Sequence, residues 1–150
     1  MMSEPTYRLA TKDDADAVAA AGQQIWDELG GSSGLPQRPT AEGIASLIGN
    51  QRGGVFVCDS GDGLCGFAGL GPDPNDPDEA VMGVWLVSSA RRKGIGRELA
   101  LMATDFARRL GYAKLRGTLP KDNEPALSFF SDIGTLATIV GQGMQYELPL

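Results

Sequence analysis

Apolar positions in this chain recur with two periods, and the points where the period changes divide it into alternating strands and helices. Tyr7, Arg8, Leu9 and Ala10 form a short strand candidate; Thr11, with Asp14 three residues on, approximates a capping box that opens a helix. Val18, Gly22, Ile25, Trp26 and Leu29 then recur at helical spacing until Gly30-Gly31 stops the run. A Gly/Ser/Pro loop over 30–39 leads to Thr40, which caps a shorter helix carrying Ile44, Leu47 and Ile48 on one face and ending at Gly49-Asn50.

Residues 55–58 and 64–70 flank a turn at 59–63 and read as a hairpin. The stretch 71–79, with Pro72, Pro74 and Pro77, reads as an exposed connection, too rich in proline for sheet or helix. Residues 80–87 form the next strand. Ile95, Leu99, Met102, Phe106 and Leu110 step by three and four, which predicts a helix over 97–110 with Gly111 just beyond it. Alternation over 113–119 predicts another strand, and strand, helix, strand with one crossover implies parallel neighbours joined right-handedly. Asn123 is a cap candidate for a helix through Ile133, with Pro125 in its first turn and Gly134 after it, and 136–140 with 144–148 close the chain as a hairpin.

The chain has 150 residues and 42% hydrophobic content, which predicts one domain over 1–150 with one continuous core. It contains no histidine, so imidazole metal sites and Ser-His or Cys-His nucleophile pairs are excluded. Cys58 and Cys65 could form at most one bridge and are expected as free thiols. Met1-Met2-Ser3-Glu4-Pro5 lacks the basic and apolar regions of a leader, and no apolar run approaches the ~20 residues needed to span a bilayer, so a cytoplasmic location without membrane attachment is expected.

Candidate chemistry concentrates at Arg91-Arg92-Lys93-Gly94-Ile95-Gly96, a glycine-bearing turn between an apolar strand and a helix N-terminus. Glycines let backbone N–H groups approach a ligand, and the helix adds unsatisfied donors and the positive end of its dipole, so the turn is built for an anion such as a pyrophosphate. Nine of the thirteen Lys and Arg residues fall between Arg91 and Lys121 against Glu98 and Asp105, leaving that window at +7 and the remainder at −13. A small polyanion fits that asymmetry better than a nucleic-acid duplex, which would have to pass an acidic surround.

The turn lacks the Gly-Lys-Ser/Thr ending of a Walker loop, and Leu99 stands where a dinucleotide fingerprint has its third glycine. Its Arg-x-x-Gly-x-Gly pattern resembles the acetyl-CoA motif of the GCN5-related N-acetyltransferases (GNAT). Val84-Trp85-Leu86-Val87 resembles that family's fourth strand, and Asn123-x-x-Ala126-x-x-Phe129-Phe130 with Gly134 resembles its Asn-x-x-Ala-x-x-Phe-Tyr segment. The resemblance extends from Arg8-x-Ala10-x-x-x-Asp14 to the terminal hairpin. It implies an α/β fold: a mixed, strongly twisted sheet of about six to seven strands flanked by about four helices, whose fourth and fifth strands diverge to admit the cofactor.

By the same resemblance, the protein is an N-acetyltransferase that uses acetyl-CoA as co-substrate without a metal. The backbone of Arg92, Lys93, Gly94, Ile95, Gly96 and Arg97, with Arg91 beside it, would cradle the pyrophosphate. Leu86 and Val87 would bond the pantetheine arm and stabilise the oxyanion, Asn123 would contact pantetheine or merely cap its helix, and Phe130 would flank the cofactor. Family members often carry at the position of Phe130 a tyrosine that protonates the departing thiolate. At a thiol pKa of about 8.5 its absence costs only about 2 kcal/mol near pH 7, which water can supply, with Tyr146 as an alternative donor.

An alkylamine acceptor arrives protonated and needs a base; Glu79 is the candidate and Asp78 the alternate, both of which could equally be solvated loop charges. Trp26, Trp85 and Phe67 read as core or pocket wall. The acceptor is expected to be a small-molecule or peptide amine. The acids around it, Asp27, Glu28 and Asp76 through Glu79, predict a cationic one. No nucleic-acid or membrane partner is expected, and a homodimer is left open. A non-catalytic acyl-CoA sensor and an unrelated phosphate-binding domain are the competing readings.

Overall fold

In the computed structural model, residues 5–33, 35, 37–90, 94–120, 136–140 and 143–150 are described. Strand β1 (Thr6–Leu9) is followed by a single 3-10 turn at Lys12–Asp14 and helix α1 (Ala15–Leu29). The carboxylate of Asp14 pins this start, accepting from the Thr11 N–H at 2.7 Å and from both Arg8 guanidinium nitrogens at 2.7 and 2.9 Å. Those donors hold the Asp14 carboxyl down at about 2. Helix α2 (Ala41–Ile48) begins as predicted, the Thr40 hydroxyl accepting from the Gly43 N–H at 3.1 Å.

Strands β2 (Gly54–Asp59), β3 (Leu64–Asp73) and β4 (Asp76–Leu86) form an antiparallel meander with β1 at its edge. Helix α3 (Ile95–Arg109) crosses to β5 (Lys114–Pro120), and β6 (Leu136–Val140) and β7 (Gly143–Pro149) close the chain. The sheet order is β1-β2-β3-β4-β5-β7-β6, with β4 and β5 as its parallel pair. The sheet is therefore mixed, with seven strands, and carries three α-helices among the described residues. The helix expected from Asn123 lies outside them. No helix among the described residues is long and apolar enough to cross a membrane.

The stretch 71–79 departs from its sequence reading: it is strand on both sides of a tight turn at Pro74 and Asn75, not an exposed connection. Both remaining prolines sit where a missing N–H costs the ladder nothing. Beyond Leu70, which pairs with Gly54, β2 has ended, so the N position of Pro72 points to an edge. Pro77 falls inside the irregularity between the Asp73–Asp76 and Pro72–Ala80 pairs.

Alternation along the strands gives the sheet two faces. Val55, Phe67, Gly69, Gly71, Val81, Gly83 and Trp85 share one, in cross-strand register, and α1 and α2 cover it. Phe56, Ala68, Leu70, Ala80 and Met82 share the other, where Phe106 of α3 meets Phe56 edge-on at 5.2 Å. The closest seam of α3 is Leu99, Ala100, Ala103 and Ala107, all fully buried, while Met102 and Phe106 of the predicted stripe are only partly buried at its flanks. Small residues at the seam let the helix lie close on the sheet. Cys58 and Cys65 are free thiols, and burial, with Cys65 beside it, pushes the Cys58 thiol up to about 11.

Candidate active site

The parallel ladder between β4 and β5 comprises only Glu79–Lys114, Ala80–Leu115 and Val81–Arg116. Beyond it β4 continues against β3 as far as Leu86, and β5 continues against β7 as far as Pro120. The two strands thus part after Val81 and Arg116, and the split opens toward the start of α3. This is the divergence of fourth and fifth strands expected from the sequence.

Which main-chain groups face the split follows from one bond outside the ladder proper, in which the Val87 N–H donates to the Cys65 carbonyl at 3.0 Å. That bond makes Cys65–Val87 a hydrogen-bonded pair, so Phe67–Trp85 and Gly69–Gly83 in the same register are hydrogen-bonded pairs as well. The main-chain groups of Trp85 and Gly83 therefore point to β3, and those of Val84 and Leu86 point to the side from which β5 departs. Leu86 faces the split with its main-chain groups. Val87 does not: its N–H is committed to Cys65 and its carbonyl accepts from Ala90 at 2.9 Å, because the chain turns into a 3-10 segment at Ser88–Ala90. Val84 shares the split-facing side with Leu86.

At the mouth of the split, Gly94 caps α3 with φ +81°, a left-handed conformation that glycine adopts without strain. A Cβ there would meet nothing within 4 Å, whereas one on Gly96 would touch Leu86 and Val84 at 3.5 and 3.8 Å. The two glycines thus serve different needs: Gly94 sets the turn and Gly96 seats the helix on β4. The first intrahelical bond is donated by Glu98 to Gly94, so the amides of Ile95, Gly96 and Arg97 belong to the first turn, where no intrahelical acceptor exists. Ile95 is buried as the helix anchor, and Arg97 is exposed. Arg91, Arg92, Lys93, Asn123 and Phe130 lie outside the described residues, as does the Tyr146 side chain.

Not all of the basic window serves this mouth. Arg116 is ion-paired with Glu79 and lies 3.3 Å from Asp73, and Lys114 lies 3.6 Å from Glu79 and 3.5 Å from Glu147. The Glu79 carboxylate, by hydrogen bond and by charge, raises the pKa of the Arg116 guanidinium further. Glu79 is thus a mostly buried carboxylate, its side chain 13% exposed, at the closed end of the split. It stands two residues before Val81, on the face of β4 that α1 and α2 cover. Asp78 is exposed; its carbonyl accepts from Ala113 at 2.8 Å, and its N–H donates to Asp76 at 3.0 Å. Of the other acids expected around an acceptor, Asp27 is paired with Arg38 and Glu28 is exposed in the last turn of α1.

On the face covered by α1 and α2 lies a cleft of about 530 Å³, walled by Leu35, Ile44 and Leu47 on one side and by Val81 and Trp85 of β4 on the other. The sequence reading missed its floor, which consists of Gly69, Gly71 and Gly83. The signal available was glycine at alternate strand positions, followed two residues after Gly83 by a tryptophan. The Trp85 indole lies along its own strand over Gly83, where a Cβ would come within 2.7 Å of the ring. Its N–H donates to the Ser33 carbonyl at 3.0 Å, and Phe67 packs against it at 5.3 Å. Trp85 and Phe67 are pocket-wall residues, as read from the sequence.

A sequence model of the Acetyltransferase (GNAT) family matches residues 20–134, and this chain belongs to that family. No curated protein matches the sequence. Among solved structures the chain is similar to the yncA protein of Salmonella typhimurium with its cofactor acetyl-CoA, at TM-score 0.84 and 17% identity over 99% of this chain and 95% of that one. It is also similar to the Thermoplasma acidophilum paia N-acetyltransferase in complex with coenzyme A, at 0.81 and 15% identity over 99% and 100%. A third is the ribosomal-protein-alanine N-acetyltransferase of Brucella melitensis, at 0.80 and 20% identity over 97% and 99%. The fold is that of the GNAT acetyltransferases, in a family of acyltransferases.

Proposed function

We propose that this protein transfers the acetyl group of acetyl-CoA to a primary amine by direct attack in a ternary complex. The observation that carries the reading is the β4–β5 ladder ending at Val81–Arg116, with the glycine-capped N-terminus of α3 at the mouth of the resulting split. First-turn amides of α3 bind the pyrophosphate, and main-chain groups of Val84 and Leu86 bond the pantetheine arm as an added strand would. Acetyl-CoA-bound and CoA-bound neighbours of the same fold support that ligand.

The ammonium form of the acceptor first loses one proton to the base; the free amine nitrogen then forms its bond to the thioester carbonyl carbon as the carbon–sulfur bond breaks, giving up a second proton while the departing thiolate takes one up. A backbone N–H on the split side of β4 stabilises the oxyanion. Glu79, in preference to Asp78, accepts the amine's proton directly or through a water: it is held in place by Arg116 and Lys114 and lies on the cleft face of β4. Calorimetry with CoA, ATP and NAD tests the donor, and thiol release from acetyl-CoA with a panel of amines tests turnover. CoA binding without thiol release for any amine would mark the protein as an acyl-CoA sensor instead.

A further inference from the structure

Resting on that reading, we infer that the acceptor is a small primary amine whose body is uncharged and apolar, an aromatic or branched aliphatic group seated on Trp85. The acidic composition of the chain predicts a cationic acceptor, but among the described residues the cleft that borders the split has no charged side chain in its lining. A second ammonium group carried into it would lose its hydration and find no carboxylate in return. Of the acids expected around an acceptor, Glu79, ion-paired with Arg116, serves the reacting amine itself, and Asp27 is ion-paired with Arg38.

The lining fits an apolar body positively. Three glycines in register, Gly69 across from Gly83 and Gly71 across from Val81, leave the floor without side chains of its own and let Trp85 and Leu47 lie down on the sheet as the apolar lining. Into that space Trp85 lies flat, and its N–H is already spent on Ser33, so it presents a ring face and no donor. Ile44 and Leu47 of α2 close the opposite side. A cleft of about 530 Å³ lies within the range of small-ligand pockets and takes a ring with a short alkyl arm. Val81 and Met82, where β4 leaves β5, mark the end at which the amine nitrogen meets the thioester.

The test is a matched series assayed by thiol release from acetyl-CoA with the full chain: ethylamine, 3-methylbutylamine, 2-phenylethylamine and spermidine. The expected kcat/KM rises at least about tenfold from ethylamine to 2-phenylethylamine, since a buried apolar body contributes through area removed from water, and spermidine falls at least about tenfold below 2-phenylethylamine. Two acidic variants should narrow or invert that preference: Leu47→Glu in the wall and Gly43→Glu at the rim, on an exposed helical turn where the added Cβ comes 3.2 Å from the Thr40 hydroxyl. Independently of turnover, 2-phenylethanol should shift the tryptophan emission of wild type, and the shift should be lost in Trp85→Phe.

Spermidine equal to or better than 2-phenylethylamine, with CoA binding intact, overturns this inference and leaves the acetyltransferase reading standing. Absence of CoA binding, or CoA binding without turnover of any amine, overturns both.

Discussion

The Val87 N–H donates to the carbonyl of Cys65, and that single bond fixes which β4 amides are turned toward the cofactor split. Proline substitution separates the two sets, because it removes an N–H at a chosen position. Val84→Pro deletes a split-facing donor without breaking a β3 ladder bond; it is expected to fold and to bind acetyl-CoA about tenfold more weakly, the worth of about one hydrogen bond. Val87→Pro breaks the Cys65 bond and is expected to lower the melting temperature more than Val84→Pro does. Calorimetric titration with acetyl-CoA and thermal unfolding of the pair check this, and the reverse order of effects would refute the assignment of faces.

The two glycines of the turn should respond differently to alanine. Gly94→Ala forces a Cβ into left-handed backbone at φ +81°, a cost of about 1–2 kcal/mol, and should weaken CoA binding by distorting the donors around it. Gly96→Ala only brings a methyl into ordinary contact with Leu86 and Val84 and should bind CoA close to normally. Gly96→Glu, with bulk and negative charge at the same place, should abolish binding. Equal CoA affinities across the three variants would remove the turn from the binding site.

If Glu79 is the base, Glu79→Gln lowers kcat by about a hundredfold or more, most severely at low pH where the amine is most protonated, while Asp78→Asn stays within about twofold of wild type. The pH–rate profile separates catalysis from architecture. A Glu79→Gln variant that melts earlier but keeps the wild-type profile shows that the carboxylate serves only to hold Arg116 and Lys114.

Asp14 gives a prediction about acid stability. Its carboxyl is held at about 2, below the ordinary value near 4, first by the hydrogen bonds from Arg8 and next by the Thr11 N–H. A group depressed on folding contributes stability that is complete above the unfolded value and is lost as pH falls through about 4 to 2. The full shift corresponds to about 2 kcal/mol, and less is expected in practice because Arg8 is 38% exposed and screened by solvent. Asp14→Asn should therefore be less stable than wild type at pH 6 by about 1–2 kcal/mol in urea unfolding, and the two curves should converge toward pH 2.

Local signals were legible wherever one residue type had one local job. Thr40 before an amphipathic run, Gly94 before a helix and the stepping of Ile95, Leu99 and Phe106 all correspond to elements in place. The prolines at 72 and 77 misled because their tolerance depends on where β2 ends and where β4 bulges, facts of pairing that the sequence does not carry. Val87 misled for the same reason: which amides face a neighbour is a matter of register, and a shift of one residue exchanges the two sides. The charges of Lys114, Arg116 and Glu79 were countable in the sequence, but their mutual neutralisation appears only once β4 and β5 lie side by side. The apolar cleft was least legible of all, being assembled from a helix cap, alternate glycines on two strands and one tryptophan.

Among the described residues the ladder between β4 and β5 has only three residue pairs, so the sheet consists of two panels meeting at a narrow seam. Hydrogen exchange should resolve them as separate cooperative units: slow amides in β2, β3 and the β3-bonded positions of β4, and earlier opening across β5, β7 and β6. A pantetheine arm laid along the seam would tie one panel to the other, so acetyl-CoA should slow exchange in β5 and β7 far from any group it touches and raise the unfolding temperature with its concentration. In that state the co-substrate would also be a structural strut, and product release would loosen the same joint that substrate capture tightens.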